Sequence, residues 1–241
     1  MVGRVDWMSE ENLRENLKKV EKNISEAAER SGRKREDITL LAVSKNHSLE
    51  DLKVLRRAGV KLFGENRVQE LQEKDEKLKA EGIVQDWHFI GHLQRNKVKY
   101  LMRMDNCIMI ESIDSLRLAK EVNKRAAKNE RVIPVLIEIN AAGDENKYGI
   151  KAEKAEEFLK KVLNFDNLDI KGLMTVLPYL DDSEELRPYF KKMKKLFDDL
   201  SENVIQLEEL SMGMTNDYQI AIEEGSTIVR VGTALFGERE Y

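Results

Sequence analysis

The 241-residue sequence is poor in cysteine, proline and long apolar runs, and each shortage excludes a class of protein. The single cysteine, Cys107, rules out a disulfide framework and fits a reducing compartment. No apolar run approaches the roughly 20 residues that a membrane-spanning helix needs. Asp6, Glu10 and Glu11 interrupt the N-terminal stretch, so a signal peptide is not expected. We therefore expect a cytoplasmic protein with no membrane partner.

Charges of the two signs nearly balance along the chain. The sequence has 41 Lys and Arg residues and 45 Asp and Glu residues, which gives a net charge of −4. The two signs are interspersed, so a nucleic-acid-binding surface is not expected. With 41% hydrophobic residues, the chain is long enough to bury one sizeable core. Many α/β barrels of this length form a single domain.

A lysine follows directly on a short apolar segment near the N-terminus. Residues 39–45, Thr-Leu-Leu-Ala-Val-Ser-Lys, read as a parallel strand buried on both faces that ends at Lys45. Folds built on such strands bind ligands at the C-terminal strand ends. Burial there lowers the pKa of a lysine and lets its amine attack a carbonyl group. The alternative is that Lys45 extends past the sheet into water.

The alternation of strand and helix recurs along the whole chain. A leading helix is predicted over 6–30, with Ser9 as its N-cap and an apolar stripe at helical spacing. Eight strands follow, separated by helices, and they are predicted at 39–45, 61–64, 87–91, 106–111, 132–140, 168–176, 205–211 and 227–231. The segment 140–149 is predicted to be a polar loop, and helices are predicted at 95–103, 183–202 and 216–224, among others.

These elements predict an α/β fold, a (β/α)₈ TIM-type barrel in a single domain with an extra N-terminal helix. Residues 1–34 would form the helix packed on the barrel, and residues 35–241 would form the barrel itself. A doubly wound open sheet is the competing arrangement. Eight units in about 200 residues and the lack of an opening glycine-rich dinucleotide turn favour the barrel.

Two glycine-containing loops follow the seventh and eighth predicted strands, at 210–215 and 229–233. Barrels commonly bind phosphate with these two loops. Gly213 and Gly232 would let the backbone approach closely, and Ser211 and Thr233 offer hydroxyl donors. Ordinary glycine turns are the alternative for either loop alone. The presence of both loops favours a phosphate site.

A phosphate site opposite a strand-end lysine leaves two chemistries open. Lys45 could form a Schiff base with the phosphorylated aldehyde cofactor pyridoxal phosphate, or with a sugar-phosphate substrate as in an aldolase. Arg230 favours the cofactor, because a buried arginine beside the phosphate can hydrogen-bond the pyridine nitrogen. Its fixed charge would keep that nitrogen unprotonated. A surface ion pair is the alternative role for Arg230.

Six stretches of the sequence form specific motifs: Ala-Val-Ser-Lys (42–45), Phe-Gly-Glu-Asn-Arg-Val-Gln-Glu (63–70), Trp-His-Phe-Ile-Gly-His-Leu-Gln-Arg-Asn-Lys (87–97), Gly-Leu-Met-Thr (172–175), Leu-Ser-Met-Gly-Met (210–214) and Val-Arg-Val-Gly-Thr-Ala-Leu-Phe-Gly (229–237). Together and in this order, they resemble the pyridoxal phosphate homeostasis protein family. That family is similar to the barrel domain of alanine racemase. The resemblance runs from about residue 35 to the C-terminus.

The resemblance implies a cofactor site as well as a fold. Lys45 would carry pyridoxal 5'-phosphate as a Schiff base, and Arg230 would contact its pyridine nitrogen. Asn66 would lie near the phenolic oxygen of the ring. The phosphate would be held by three residues of the last two loops, Ser211, Gly232 and Thr233. Thr215 stands where the family often has serine, and either hydroxyl can cap the helix that follows.

The resemblance further implies a role in intracellular pyridoxal phosphate homeostasis and amino-acid balance, with little or no catalysis and with pyridoxal-phosphate-dependent apo-enzymes as possible partners. Alanine racemases add a C-terminal domain that supplies a tyrosine acid/base, and we expect that domain to be absent because the sequence stops at Tyr241. A stand-alone amino-acid racemase is the alternative function. It needs a proton donor on each face of the cofactor, and Lys45 could serve only one.

The histidines and the oligomeric state complete the sequence-based predictions. His88 is a candidate for the second proton donor of a racemase. The simpler expectation is that it only forms local hydrogen bonds. His88 and His92 lack the adjacent glutamate and unbroken helix of a zinc motif, so no metal is predicted. No heptad pattern is present, which favours a monomer.

Overall fold

Eight parallel strands close into a barrel in the computed structural model, which describes residues 8–144 and 147–237. With one further short strand, β6, the described strands are β1 (Thr39–Val43), β2 (Leu62–Glu65), β3 (Asp86–Phe89), β4 (Cys107–Ile113), β5 (Ile133–Asn140), β6 (Ile150–Lys151), β7 (Leu168–Met174), β8 (Glu209–Met214) and β9 (Ile228–Val231). Neighbours pair in the order β4-β3-β2-β1-β9-β8-β7-β5, and pairing of β4 with β5 closes the ring. The predicted (β/α)₈ barrel is confirmed.

Helices connect the strands and cover the barrel. Those described are α1 (Glu10–Arg30), α2 (Leu49–Arg57), α3 (Val68–Ala80), α4 (Val98–Leu101), α5 (Leu116–Lys128), α6 (Ala155–Val162), α7 (Arg187–Asn203), α8 (Tyr218–Glu223) and α9 (Thr233–Phe236). Short 3₁₀ turns at Arg35–Asp37, Arg95–Lys97, Ala152–Lys154 and Ser183–Leu186 precede several of these elements. In the part of the chain that the structure describes, no helix is both long and apolar enough to cross a bilayer.

The leading helix α1 begins where its capping residue predicts. The Ser9 hydroxyl accepts a hydrogen bond from the Asn12 amide at 3.1 Å, which satisfies one of the free donors of the first turn. Residues 6–7, also predicted to be helical, lie outside the described residues, as do residues 145–146 of the predicted loop and Tyr241. The apolar face of α1 is buried against the barrel, and its buried residues are Leu13, Leu17, Val20, Ile24, Ala27 and Ala28.

Helix α1 covers the part of the barrel wall beside β9, where only the one-turn helix α9 follows the strand. Its amide side chains reach the neighbouring elements. Asn16 Nδ2 donates to the Leu235 carbonyl at 3.0 Å, and Asn23 Nδ2 donates to the Tyr218 hydroxyl at 3.0 Å. These bonds tie α1 to α9 and α8.

Alternation along each strand divides the core into an outer and an inner part, because successive side chains of a strand point to opposite faces. Leu40 and Ala42 belong to the large cluster between strands and helices, whereas Leu41 belongs to a small inner cluster. The inner cluster consists of Leu41, Met109, Leu136, Met174 and Ile228. Residues two positions further along these strands therefore also face the barrel interior.

Three local predictions differ from the structure. The seventh barrel strand begins at Glu209 rather than 205, because the Ile205 amide still bonds the Leu200 carbonyl at the end of α7. The predicted helix at 95–103 is a 3₁₀ turn followed by one turn of α-helix. The short strand β6 was not predicted, since it is defined by its pairing with the end of β5 rather than by its own pattern.

Gly213 in β8 allows close packing of α8. Its φ is +94°, and a Cβ there would lie 2.6 Å from the Ala221 Cβ and 2.9 Å from the Tyr218 Cα. Gly82 has a similar φ of +73° but has nothing within 4 Å of an added Cβ. Alanine at Gly82 would therefore introduce backbone strain alone, whereas alanine at Gly213 would introduce both backbone strain and steric overlap.

We expect Gly213→Ala to lower the free energy of unfolding by about 3 kcal/mol, and Gly82→Ala by about 1 kcal/mol. A left-handed residue with a Cβ costs roughly 1–2 kcal/mol, and an overpacked contact adds about 1–3 kcal/mol. Urea unfolding followed by circular dichroism measures both. Equal losses in the two variants would show that α8 moves aside without cost.

Candidate functional site

A cavity of about 310 Å³ opens at the C-terminal ends of the barrel strands. This volume lies at the lower end of the range of about 300–1,000 Å³ for small-molecule pockets. Five of the six residues predicted for the site line it, namely Lys45, Asn66, Arg230, Gly232 and Thr233. The sixth, Ser211, does not line it. The fold therefore assembles most of the predicted site from three separate strand ends, those of β1, β2 and β9.

Strand alternation brings Lys45 to this cavity. Leu41 belongs to the inner cluster, Val43 lines the cavity, and Lys45 lies two residues further along in the same phase. Lys45 is half-buried. Its amine is thus carried by the first barrel strand to the mouth where a ligand would enter.

Asn66 reaches the cavity because the loops after β2 and β3 touch. A Cβ on Gly91 would lie 2.7 Å from the Asn66 Cα, so only glycine fits there without a shift of the backbone. Gly91 and Ile90 also line the cavity. The close approach of the two loops fixes the wall that carries Asn66.

Arg230 is buried, and its guanidinium forms two short hydrogen bonds. Nη1 donates to the Ser211 hydroxyl at 2.6 Å, and Nη2 donates to the Thr175 carbonyl at 2.7 Å. Burial lowers the pKa of Arg230, and the nearby carboxylates of Glu111, Asp217 and Glu138 oppose that shift. The surface ion pair considered from the sequence is therefore excluded for this residue.

Beneath the cavity, a buried chain of hydrogen bonds supports Arg230. His88 Nδ1 lies 2.6 Å from Glu111 Oε1, and the Ser211 hydroxyl donates to Glu111 Oε2 at 2.6 Å. Burial by itself raises the pKa of Glu111, but these hydrogen bonds and the charge of Arg230 outweigh it and lower the pKa. Glu111 is therefore a buried carboxylate that compensates the charge of Arg230.

This arrangement changes the interpretation of Ser211. Its hydroxyl is fully buried, donates to Glu111 and accepts from Arg230. The single O–H donor of Ser211 is thus used below the cavity, and its predicted contact with a phosphate stays a prediction. His88, for its part, satisfies a local hydrogen bond with Glu111, the simpler of its two predicted roles.

The loops after β8 and β9 meet at one side of the cavity, as predicted. Thr215 lines the cavity beside Gly232 and Thr233, and its Oγ1 accepts a hydrogen bond from the Ala234 amide at 3.3 Å. Asp217 Oδ1 accepts from the Met214 amide at 2.5 Å and holds the first of these loops. Gly213, in contrast, faces α8 and does not line the cavity.

The functional groups around the cavity match three of the polar parts of pyridoxal phosphate. A primary amine can bond an aldehyde, hydroxyls beside glycine backbone suit a phosphate, and an arginine can donate to a pyridine nitrogen. Lys45, the pair Thr215 and Thr233, and Arg230 provide these groups on one cavity. The residues present therefore fit this cofactor.

Sequence reasoning missed several residues around the site. Glu111 is not among the residues predicted for the site, although its position two residues after Met109 of the inner cluster places it inside the barrel. Thr215 was interpreted as a helix cap. The segment 176–183 supplies Val176 and Tyr179 to the cavity rim. Its sequence pattern does not predict this position. Strand alternation could have identified Glu111, but only the structure identifies the rim.

Glu138 is a further buried carboxyl group in the barrel interior. It lies two residues after Leu136 on β5 and is 9% exposed. Burial, together with the charge of Asp114, raises its pKa to about 7, and the charge of Arg230 only partly opposes this. Glu138 thus changes charge near neutral pH at a position close to the cavity.

The arrangement corresponds to a known class of barrel. Residues 16–240 match the family model of the alanine racemase N-terminal domain. The alanine racemase of Clostridium difficile 630 shares the fold, with a TM-score of 0.73 at 19% identity over 96% of this chain and 60% of that one. The fold and the site together define a barrel of the alanine racemase N-terminal class.

Closer relatives specify the family. The pyridoxal phosphate homeostasis protein of Aquifex aeolicus (strain VF5) is 47% identical over 95% of this chain and 100% of its own length. The structure of PipY from Synechococcus elongatus PCC7942 with pyridoxal phosphate bound gives a TM-score of 0.80 at 29% identity, covering 93% of this chain and all of that one. The chain belongs to the pyridoxal phosphate homeostasis protein family. The resemblance seen in the sequence motifs is thereby confirmed.

We expect Glu138→Gln to stabilise the protein at pH 8 and to leave its stability at pH 4 nearly unchanged. The folded-state pKa of about 7 exceeds the ordinary value of 4.5. The folded state therefore binds a proton that the unfolded state releases, and wild-type stability falls as the pH rises from 4.5 to about 7. The shift corresponds to about 3 kcal/mol.

Urea unfolding of both proteins across this pH range measures the difference, and the subtraction removes the contribution of other titrating groups. A constant difference between the two proteins from pH 4 to pH 8 would contradict the raised pKa of Glu138.

Proposed function

We propose that the protein binds pyridoxal 5'-phosphate as a Schiff base on Lys45 and acts in intracellular pyridoxal phosphate homeostasis and amino-acid balance, with little or no catalysis of its own. The observation that carries this proposal is the meeting of Lys45, Arg230 and the two phosphate-type loops on one small cavity. The PipY structure with pyridoxal phosphate bound supports the choice of ligand.

Lys45 is the attachment point in this proposal. Its amine would hold the cofactor by a bond to the aldehyde carbon, with the carbonyl oxygen released as water. The bound cofactor supplies a conjugated ring that can accept electrons from an attached amine. Lys45 projects from the strand end into the cavity mouth, so exchange with free cofactor requires no opening of the barrel.

Arg230 orients the ring and restrains its reactivity. A permanently charged donor at the pyridine nitrogen keeps that nitrogen unprotonated, which weakens the ring as an electron sink. The bonds to Ser211 and Thr175 fix the guanidinium, and Glu111 compensates its charge. A site built in this way favours holding the cofactor over transforming an amino acid attached to it.

The phosphate is assigned to the loops after β8 and β9. We propose Thr215, Gly232 and Thr233 as its contacts, with Ser211 acting below them as a support for Arg230. We propose that Asn66, which follows β2 and lines the same cavity, contacts the phenolic oxygen.

We further propose a cytoplasmic monomer, with residues 35–241 as the cofactor-binding barrel and residues 1–34 as a helix packed on it. Pyridoxal-phosphate-dependent apo-enzymes are the proposed recipients of the cofactor. The names of the relatives and the half-buried position of Lys45 at an open cavity support a role in supply.

We expect wild-type protein mixed with pyridoxal phosphate to become yellow and, after borohydride reduction, to carry the adduct on Lys45, as mapped by peptide mass spectrometry. Lys45→Ala removes the amine and should abolish the adduct. Lys61→Ala is the matched control, because Lys61 is exposed and precedes β2 at the opposite end of the barrel. An adduct of equal yield in Lys45→Ala would overturn the assignment.

The alternative function, a stand-alone amino-acid racemase, has one structural observation in its favour. Tyr179, a residue type that can transfer protons, lines the cavity rim. Tyr179 is 72% exposed, however, so its hydroxyl is not held in the fixed position that an acid catalyst needs.

We expect no loss of optical activity when the loaded protein is incubated with single enantiomers of alanine and other amino acids. Of the acids on the described lining, Tyr179 is exposed, and Asp217 Oδ1 already accepts a hydrogen bond from the Met214 amide. Polarimetry or chiral chromatography measures the result. Racemisation that disappears in Tyr179→Phe would establish the enzyme instead of the carrier.

A further inference from the structure

A second cluster of buried charges lies behind the loop that carries Lys45. It consists of Lys74 on α3, Glu65 at the end of β2 and Glu70 in the first turn of α3. Lys74 is 7% exposed and Glu65 is fully buried. None of the three lines the cavity, so they have no place among the direct contacts of the proposed cofactor.

The Lys74 ammonium is saturated with acceptors. Nζ lies 2.6 Å from the Ser44 carbonyl oxygen, 2.6 Å from Glu65 Oε1 and 2.8 Å from Glu70 Oε1. An ammonium has three N–H donors, and each one has a partner here. The planar fork of an arginine does not fit three acceptors that converge on one point.

The cluster holds the main chain on both sides of Lys45. Before it, the Ser44 carbonyl accepts from Lys74 Nζ. After it, the Asn46 amide donates to Glu70 Oε1 at 2.5 Å, and Glu70 is itself bonded to Lys74. Asn46 has a φ of +61°, a left-handed conformation that asparagine adopts more readily than most residues. The turn that carries Lys45 is thus fixed at its two neighbours.

Stability alone does not explain this cluster. The Oε2 atom of Glu65 is buried and has no hydrogen-bond partner among the described residues. Burial raises the pKa of Glu65, and the charge of Lys74 opposes the shift. An unpaired buried polar atom is destabilising, and replacing a buried ion pair by apolar residues of similar volume is often neutral or stabilising.

We propose that Lys74 is a positioning residue for Lys45. Its ammonium binds the Ser44 carbonyl directly and the Asn46 amide through Glu70, and so sets the direction in which the Lys45 side chain leaves the backbone. This inference rests on the proposed function, because it matters only if Lys45 attaches the cofactor. Displacement of a reacting group by about 1 Å can slow a reaction by about 100-fold.

The test measures the rate at which Lys45 attaches pyridoxal phosphate, by stopped-flow absorbance. Lys74→Met removes the ammonium and keeps an unbranched side chain. The double variant Lys74→Met/Glu65→Gln removes both buried charges, so no unpaired carboxylate is left at Glu65. It replaces the single variant in the assay if Lys74→Met fails to fold. Glu70→Ala, with a side chain 19% exposed in the wild type, removes the contacts to Asn46 and Lys74 but keeps the bond from Lys74 to the Ser44 carbonyl.

We expect the attachment rate to fall by about tenfold or more in both Lys74 variants, and by less in Glu70→Ala. Lys77→Met is the matched control, since Lys77 is exposed one turn further along α3, and it should react at the wild-type rate. Thermal melts identify which variants are folded at the assay temperature.

Binding of pyridoxine 5'-phosphate separates positioning from general damage, because this analogue lacks the aldehyde and cannot bond the amine. Equilibrium dialysis should give the wild-type affinity for it in the folded Lys74 variants. A slower attachment with unchanged analogue binding is the signature of a misplaced amine. A parallel loss of both would mean that the cavity itself is damaged, and would overturn the proposal.

The remaining outcomes keep the two proposals apart. Wild-type attachment rates in the folded Lys74 and Glu70 variants reject the positioning role of Lys74 and leave the proposed function intact. A wild-type protein that forms no borohydride-stable adduct on Lys45 rejects the proposed function itself.

Discussion

The closed parallel barrel imposes a strict alternation on its strands, and the candidate site depends on that constraint. In each strand every second residue faces the interior, and the interior is narrow. The apolar inner layer that contains Leu41 and Ile228 fills the lower part. Two residues further along these same strands, Val43 and Arg230 line the cavity. The ladder of hydrogen bonds between strands therefore determines which side chains meet at the cavity.

Burial of charge is the second feature that organises the molecule. Arg230 sits inside the barrel because Glu111, Asp217 and Glu138 offset its charge and Ser211 accepts one of its hydrogen bonds. Lone buried charges are costly, but a compensated and fully bonded group is held in one orientation. The same reasoning applies to the turn after β1, where a buried ammonium–carboxylate cluster holds the main chain on both sides of Lys45. In both clusters, hydrogen bonds and opposite charges hold a buried cationic side chain in one orientation.

Much of the site could be predicted from single residues that end apolar strands. Lys45, Arg230 and Gly232 each follow or end such a segment, and a parallel fold gathers strand ends at one face. Ser211 shows the limit of this reasoning. It belongs to the right strand, but it pairs with Met174 and Ile228 of the inner layer and is therefore buried below the cavity. The register that sets this level has no signature in composition or spacing.

The sequence by itself determined the order of strands and helices, the closed barrel and the end of the barrel at which ligands bind, because each follows from local periodicity and from the few ways parallel strands can be covered. Only the tertiary structure decided which side chains touch. The Ser211 hydroxyl bonds both Arg230 and Glu111, which lies 100 residues before it, and Lys74 bonds the Ser44 carbonyl 30 residues before it. Such contacts depend on register and burial, which are set when the barrel closes.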